Sequence, residues 1–193
     1  MDLNSLVARL KRLAMLDTSV FDEVRADQTA TIPALIVAIG SILLFGIGGW
    51  VWYFLQDFHP DSGQFFVKSA IIGSIIGVIL WGVWVAITYV MLTQIFRARA
   101  DVNELIRVMG FAMLPLALGF FMFIPGLDYA IALLAIVLMF GATMIAVQSA
   151  SDASAGRVLV ATAAGFAIWA LVLELLVTTS NTYAPGIFIF APR

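Results

Sequence analysis

The chain has 193 residues, the length of one ordinary soluble domain, but 63% of them are hydrophobic, only 11% are charged and the mean hydropathy is +1.06. A globule of this size buries only about 70% of the surface its unfolded chain exposes, so this much apolar surface requires a second apolar phase, a lipid bilayer. That excludes a soluble enzyme, a nucleic-acid binder and a disordered chain; the net charge of −2 offers no long-range attraction to nucleic acid, and with no cysteine there is no disulfide, zinc-thiolate or thiol chemistry.

The fold class expected is all-α, a polytopic membrane helical bundle of five transmembrane helices plus an N-terminal amphipathic helix. Nine of the 22 charged residues lie between Asp2 and Asp27, in a cytoplasmic segment assigned to residues 1–30. There Leu3, Leu6, Val7, Leu10, Leu13 and Ala14 recur at helical spacing, with Arg9, Lys11 and Arg12 mainly on the remaining surface. Such a helix either covers one end of the bundle or docks on lipid or a partner. Val20, Phe21 and Val24 form a second short apolar stripe. An acidic preamble of about 30 residues before the first long apolar run does not resemble a cleavable signal.

Long charge-free runs follow. A bilayer core about 30 Å thick takes about 20 apolar residues as helix, and continuous rather than alternating runs exclude barrel strands. The expected spans are residues 31–55, 67–94, 108–124, 129–148 and 157–178, which together form a membrane domain over 31–178, with a tail over 179–193 on the other side. Asp57-x-His59-x-Asp61, between the first two spans, holds the only histidine; it reads as a solvated turn, and no metal or other cofactor is expected. The second span carries a GxxxG pair, Gly73 and Gly77, which suits close helix approach within the chain or between copies. Asp101-Val102-Asn103-Glu104 has the spacing of a capping box, so the third helix should start near Val102, and Pro115 should kink it. Pro125-Gly126-Leu127-Asp128 reads as a tight hairpin, with Asp128 opening the fourth span at a helix N-terminus. Glu174 is the only charge that this division sets well inside a span, near the end of the fifth; it is either a functional carboxylate or an interfacial one.

Orientation follows from lysine and arginine. Arg9, Lys11, Arg12, Arg25, Arg97, Arg99, Arg107 and Arg157 fall on one side, and Lys68 and Arg193 on the other. The N-terminus is therefore expected in the cytoplasm and the C-terminus outside, in a cell membrane, with Trp50, Trp52 and Tyr53 as an outer aromatic belt.

Several segments resemble the Yip1 family of five-span membrane proteins in its short prokaryotic form. The likeness begins at Leu16-Asp17-Thr18-Ser19-Val20-Phe21-Asp22-Glu23-Val24-Arg25-Ala26-Asp27. It continues at Glu104-Leu105-Ile106-Arg107-Val108-Met109-Gly110-Phe111-Ala112-Met113-Leu114-Pro115, which is similar to the family's Gly-aromatic-x-x-x-Pro signature. Ile124-Pro125-Gly126 and Ser154-Ala155-Gly156-Arg157 fit in order and spacing, and the likeness covers roughly residues 10–178. The resemblance implies a cytoplasmic N-terminus, five helices and a prokaryotic inner-membrane location. Eukaryotic relatives take part in membrane traffic and associate with prenylated small GTPases and with each other. This chain lacks their Asp-Leu-Tyr-Gly-Pro element, which leaves a small GTPase partner doubtful.

The residues present no nucleophile–base constellation and no phosphate loop. The function expected is a non-enzymatic organiser of protein or lipid partners, in contact with the bilayer and with another membrane protein or a second copy. The alternatives are an accessory subunit of a larger membrane complex and a small oligomeric carrier or channel. A carrier would need a polar path, for which Thr88, Tyr89, Thr93, Gln94, Thr143, Gln148, Thr162 and Glu174 are the sparse material.

Overall fold

A computed structural model describes residues 3–55 and 62–180, with the side chains of these apart from 62, 64 and 177–180. The Asp57, His59 and Asp61 cluster and the tail beyond residue 180 lie outside the described residues.

The amphipathic period at the start becomes helix α1, Leu3–Ala14. It closes as a Schellman turn: the Leu16 amide donates to the Leu13 carbonyl at 2.9 Å and the Asp17 amide to the Arg12 carbonyl at 2.9 Å. Leu16 occupies the left-handed position with φ 63°, where glycine is usual. Helix α2, Val20–Ala26, buries the stripe expected of it, Val20, Phe21 and Val24. A 3-10 turn over Gln28–Ala30, capped by the Asp27 carboxylate, leads into α3, Thr31–Leu55, the first span.

After the four-residue α4, Ser62–Phe65, the second span runs from Phe66 to Ile95 as π-helical turns on either side of α5, Gly73–Val90. Its 30 residues exceed the hydrocarbon thickness, so tilt or protrusion follows. The third span, Val102–Phe123, is two structures in series. Helix α6, Val102–Ala112, starts where the capping box places it, with the Asp101 carboxylate accepting from the Asn103 and Glu104 amides at 2.8 and 3.1 Å. A 3-10 helix over Leu114–Phe123 follows, with Pro115 in its first turn. Pro115 thus does more than kink an α-helix: the helix type changes beside it and stays changed for ten residues. With three residues per turn the side chains form straight columns. Met113, Leu116, Gly119 and Met122 are buried, Leu118, Phe121 and Ile124 are exposed, and Leu114, Ala117, Phe120 and Phe123 are intermediate. The hairpin turns at Gly126, whose φ of +80° suits glycine. Helix α7, Asp128–Ser149, is the fourth span, and α8, Ala155–Ser180, carries the fifth.

The third span is the most enclosed of the five. It packs between α3 and α7; α3 packs on its other side against the second span, the second span against α8, and α8 also touches α7. One apolar core runs through all five spans and takes in α2, with Leu6, Leu10 and Leu13 of α1 packed on its edge. The loops before α6 and α8 join through a single antiparallel bridge, Ala100 to Ser151, beside which the Arg99 amide donates to the Asp152 carboxylate at 2.7 Å. That bridge apart, the described residues are helices and turns.

Candidate functional site

Several glycines of the spans lie at close contacts between helices of the chain. Gly110 lies where α6 crosses α3: a Cβ there would sit 2.7 Å from the Ala34 carbonyl oxygen and 2.8 Å from the Ala34 Cβ. Gly48 of α3 faces Gly119 and Phe120 of the 3-10 helix just as closely. A Cβ on Gly77 would meet the Ile42 side chain at 3.1 Å, and the Gly77 carbonyl accepts from the Trp169 indole at 3.4 Å. Gly73 is buried at the start of α5. Gly110 and Gly48 are sites where backbones approach, which polar-poor membrane interfaces depend on. The seam between α5 and α8 is finished by Trp84, which lies against Gly165 and donates to the Thr162 carbonyl at 2.9 Å.

Asp128 opens α7 as expected, and its carboxylate accepts from the Trp52 indole of α3 at 3.1 Å and from the Tyr129 amide at 2.8 Å. It therefore ties the hairpin to an aromatic end of the first span, where Tyr53 stacks on Phe65 with centroids 4.0 Å apart. Glu174 is half-buried in α8. Asp128 is thus engaged with the first span.

Arg107 corrects the division drawn from the sequence, which left it just outside the third span. It lies in the second turn of α6, only 6% exposed, within the third span, so Glu174 is not the sole charge set inside a span. Its guanidinium donates to the Arg25 carbonyl, in the last turn of α2, at 2.6 Å. The Arg25 guanidinium in turn donates to the Ser149 carbonyl at the end of α7. Arg157 reaches the Phe96 carbonyl, just past the second span, at 3.5 Å. Three arginines thus meet the electronegative C-terminal ends of helices, where cations are favoured. The expected helix start at Val102 already puts residue 107 inside the helix; the charge-free run, which begins at residue 108, set the span too short.

On the same side, α1 is tied to α2 by ion pairs. Arg9 meets Asp27 at 2.9 Å, and Arg12 meets Asp17 at 2.8 Å and Glu23 at 2.6 Å. The Thr29 hydroxyl and then Arg9 hold the Asp27 carboxyl down at about 2. Asp17 is also lowered, first by the Ser19 hydroxyl and then by Arg12.

Between α1, the 3-10 helix and α7 lies an apolar groove of about 740 Å³. Val7, Leu10 and Leu13 of α1 form one wall, Leu114, Ala117 and Phe120 another, and Leu138, Gly141 and Ile145 the third. Pro115 lines it too, and Lys11 is its one charged lining residue.

Of the polar side chains considered for a path, Thr93 and Thr143 bond carbonyls one turn back in their own helices at 2.8 Å, and Gln148 bonds the Ala153 carbonyl at 2.8 Å. The hydroxyls of Thr88 and Thr162 are buried without a hydrogen bond. Among the described residues no group of three His, Cys, Asp or Glu side chains could hold a metal ion.

Five helices long and apolar enough to cross a membrane, packed as one bundle, define a polytopic integral membrane protein. The family model described as the Yip1 domain matches residues 16–177, and the chain belongs to the Yip1 family. No curated protein and no solved structure matches it. The matched region begins at the Schellman turn and takes in the Gly110 crossing and the helix change at Pro115.

Proposed function

We propose that this protein is a non-enzymatic organiser that holds protein or lipid partners in the membrane. The observation that carries this reading is how its polar groups are used. Arg9 and Arg12 of α1 pair with Asp17, Glu23 and Asp27, Arg25, Arg107 and Arg157 meet helix ends, and Asp128 holds an indole. What is left is an apolar groove and a lipid-facing surface, features suited to holding a partner rather than transforming one. With eight of ten basic residues on the N-terminal side, we place that side in the cytoplasm and the C-terminus outside, in the inner membrane of a prokaryotic cell. An accessory role in a larger complex is a form of the same reading. The carrier reading draws on the buried hydroxyls of Thr88 and Thr162 and on Glu174.

Reconstitution into liposomes separates the two. The protein should show no Glu174-dependent proton or ion flux; a robust flux that disappears in Glu174→Gln would replace the organiser with a carrier. Gentle detergent extraction should recover a defined membrane partner or a homo-oligomer.

A further inference from the structure

We infer that the groove between α1, the 3-10 helix and α7 holds one acyl chain of a membrane phospholipid with an anionic headgroup, with that headgroup at Lys11. This rests on the organiser reading and names one of its partners.

Three observations carry it. First, the groove opens sideways onto the bilayer. Leu44, Leu118, Phe121 and Ile145 line it and are each between 40% and 48% exposed, on spans whose outer faces meet lipid. Lipid chains are the molecules that surround such an opening, and an apolar channel of about 740 Å³ falls within the roughly 300–1,000 Å³ of small-ligand sites. Second, the walls are fixed by the fold. The straight columns of the 3-10 helix turn Leu114, Ala117 and Phe120 along one wall, and Gly141 and Ala142 leave the facing wall of α7 low. A Cβ on Gly141 would meet nothing within 4 Å. Third, the charge at the mouth is unspent. Arg9 and Arg12 are paired with Asp17, Glu23 and Asp27, whereas Lys11 is exposed and has no acidic partner among the described residues. Helix α1 is amphipathic, and an exposed lysine beside the apolar Val7 and Leu10 of the groove lining suits a headgroup over an acyl chain.

The test uses the full chain in phosphatidylcholine vesicles with trace phosphatidylglycerol bearing a photoreactive acyl chain, and the labelled peptides are mapped. Labelling should concentrate on residues 138–145 and on α1 rather than on the outer faces of α5 and α8. Gly141→Phe, which fills the groove from a position with free space, should lower that labelling at least fivefold with helix content unchanged. Lys11→Gln, an exposed change that leaves the bundle intact, should remove a preference of about fivefold for phosphatidylglycerol over a photoreactive phosphatidylcholine, the weight of about one basic residue near an anionic surface. Labelling spread evenly over all lipid-facing helices would overturn the groove. So would groove labelling unaffected by Gly141→Phe, and a headgroup preference unaffected by Lys11→Gln would overturn the assignment of Lys11. The organiser reading fails by a different result, Glu174-dependent flux, whatever the labelling shows.

Discussion

Replacing Gly110 by alanine sets two effects of known sign against each other. In a helix interior, alanine is favoured over glycine by about 1 kcal/mol. At Gly110 the added methyl would stand 2.7 to 2.9 Å from the Ala34 oxygen, Cβ and carbonyl carbon. Carbon contacts relax at about 3.5–4.0 Å, so α3 and α6 must part by roughly 0.8 Å along that line. Two of the three atoms in the way belong to backbone and have no rotamer to change. Overpacking of this kind costs about 1–3 kcal/mol. We expect Gly110→Ala to be net destabilising by up to about 2 kcal/mol once the helix gain is set against the overpacking cost. Gly141→Ala, with nothing within 4 Å of its added methyl, should keep the helix gain and be neutral or stabilising. Tryptophan fluorescence during detergent or thermal unfolding reads both, since Trp84 and Trp169 are buried in the bundle. If Gly110→Ala is as stable as Gly141→Ala, the close approach of α3 and α6 is not what the glycine supplies.

Arg107→Ala removes a charged donor from the end of α2 and should destabilise by about 1.5–3 kcal/mol, seen as a lowered unfolding midpoint; an unchanged midpoint would leave the cap without weight. The folded Asp27 carboxyl titrates below its ordinary value of 3.8, at about 2, so its stabilising contribution is complete above about pH 4 and is lost as pH falls towards 2. Pepsin cleavage within residues 1–25 should accordingly rise across that window, and cleavage already complete at pH 4 would show that Arg9 and Asp27 do not hold α1. Leu6→Glu with Leu10→Glu should release α1 from the core edge and raise protease access to the same residues at neutral pH; unchanged access would mean that the helix is free already.

What could be read in advance was whatever the sparse polar residues mark. Charge-free runs located the spans, Asp101 located the start of α6, and Gly126 and Asp128 located the hairpin and the start of α7. Val20, Phe21 and Val24 stood out as a buried stripe because the polar Asp22 and Glu23 lie between them. Between Leu114 and Phe123 every residue is apolar, glycine or proline, so a period of 3.0 and one of 3.6 leave the same mark, none, and the change of helix type was hidden. The partners of Arg107 and Asp128 were hidden for another reason: they lie 82 and 76 residues away along the chain, at carbonyl and indole groups that no local spacing singles out. The groove combines both difficulties, since its walls come from four separated segments and are almost wholly apolar.

The 3-10 helix also bears on length. Ten residues at about 2.0 Å per residue reach about 20 Å, where an α-helix would reach about 15 Å. The third span therefore covers about 5 Å more of the membrane than its residue count implies, and the thin stretch is the one pressed between α3 and α7. It is also indexed in threes: deleting one residue would turn everything beyond by about 120°, exchanging the buried Leu116–Gly119–Met122 column for a groove-lining or lipid-facing one. Single-residue length changes in this segment should consequently be tolerated far less than substitutions of one apolar side chain by another.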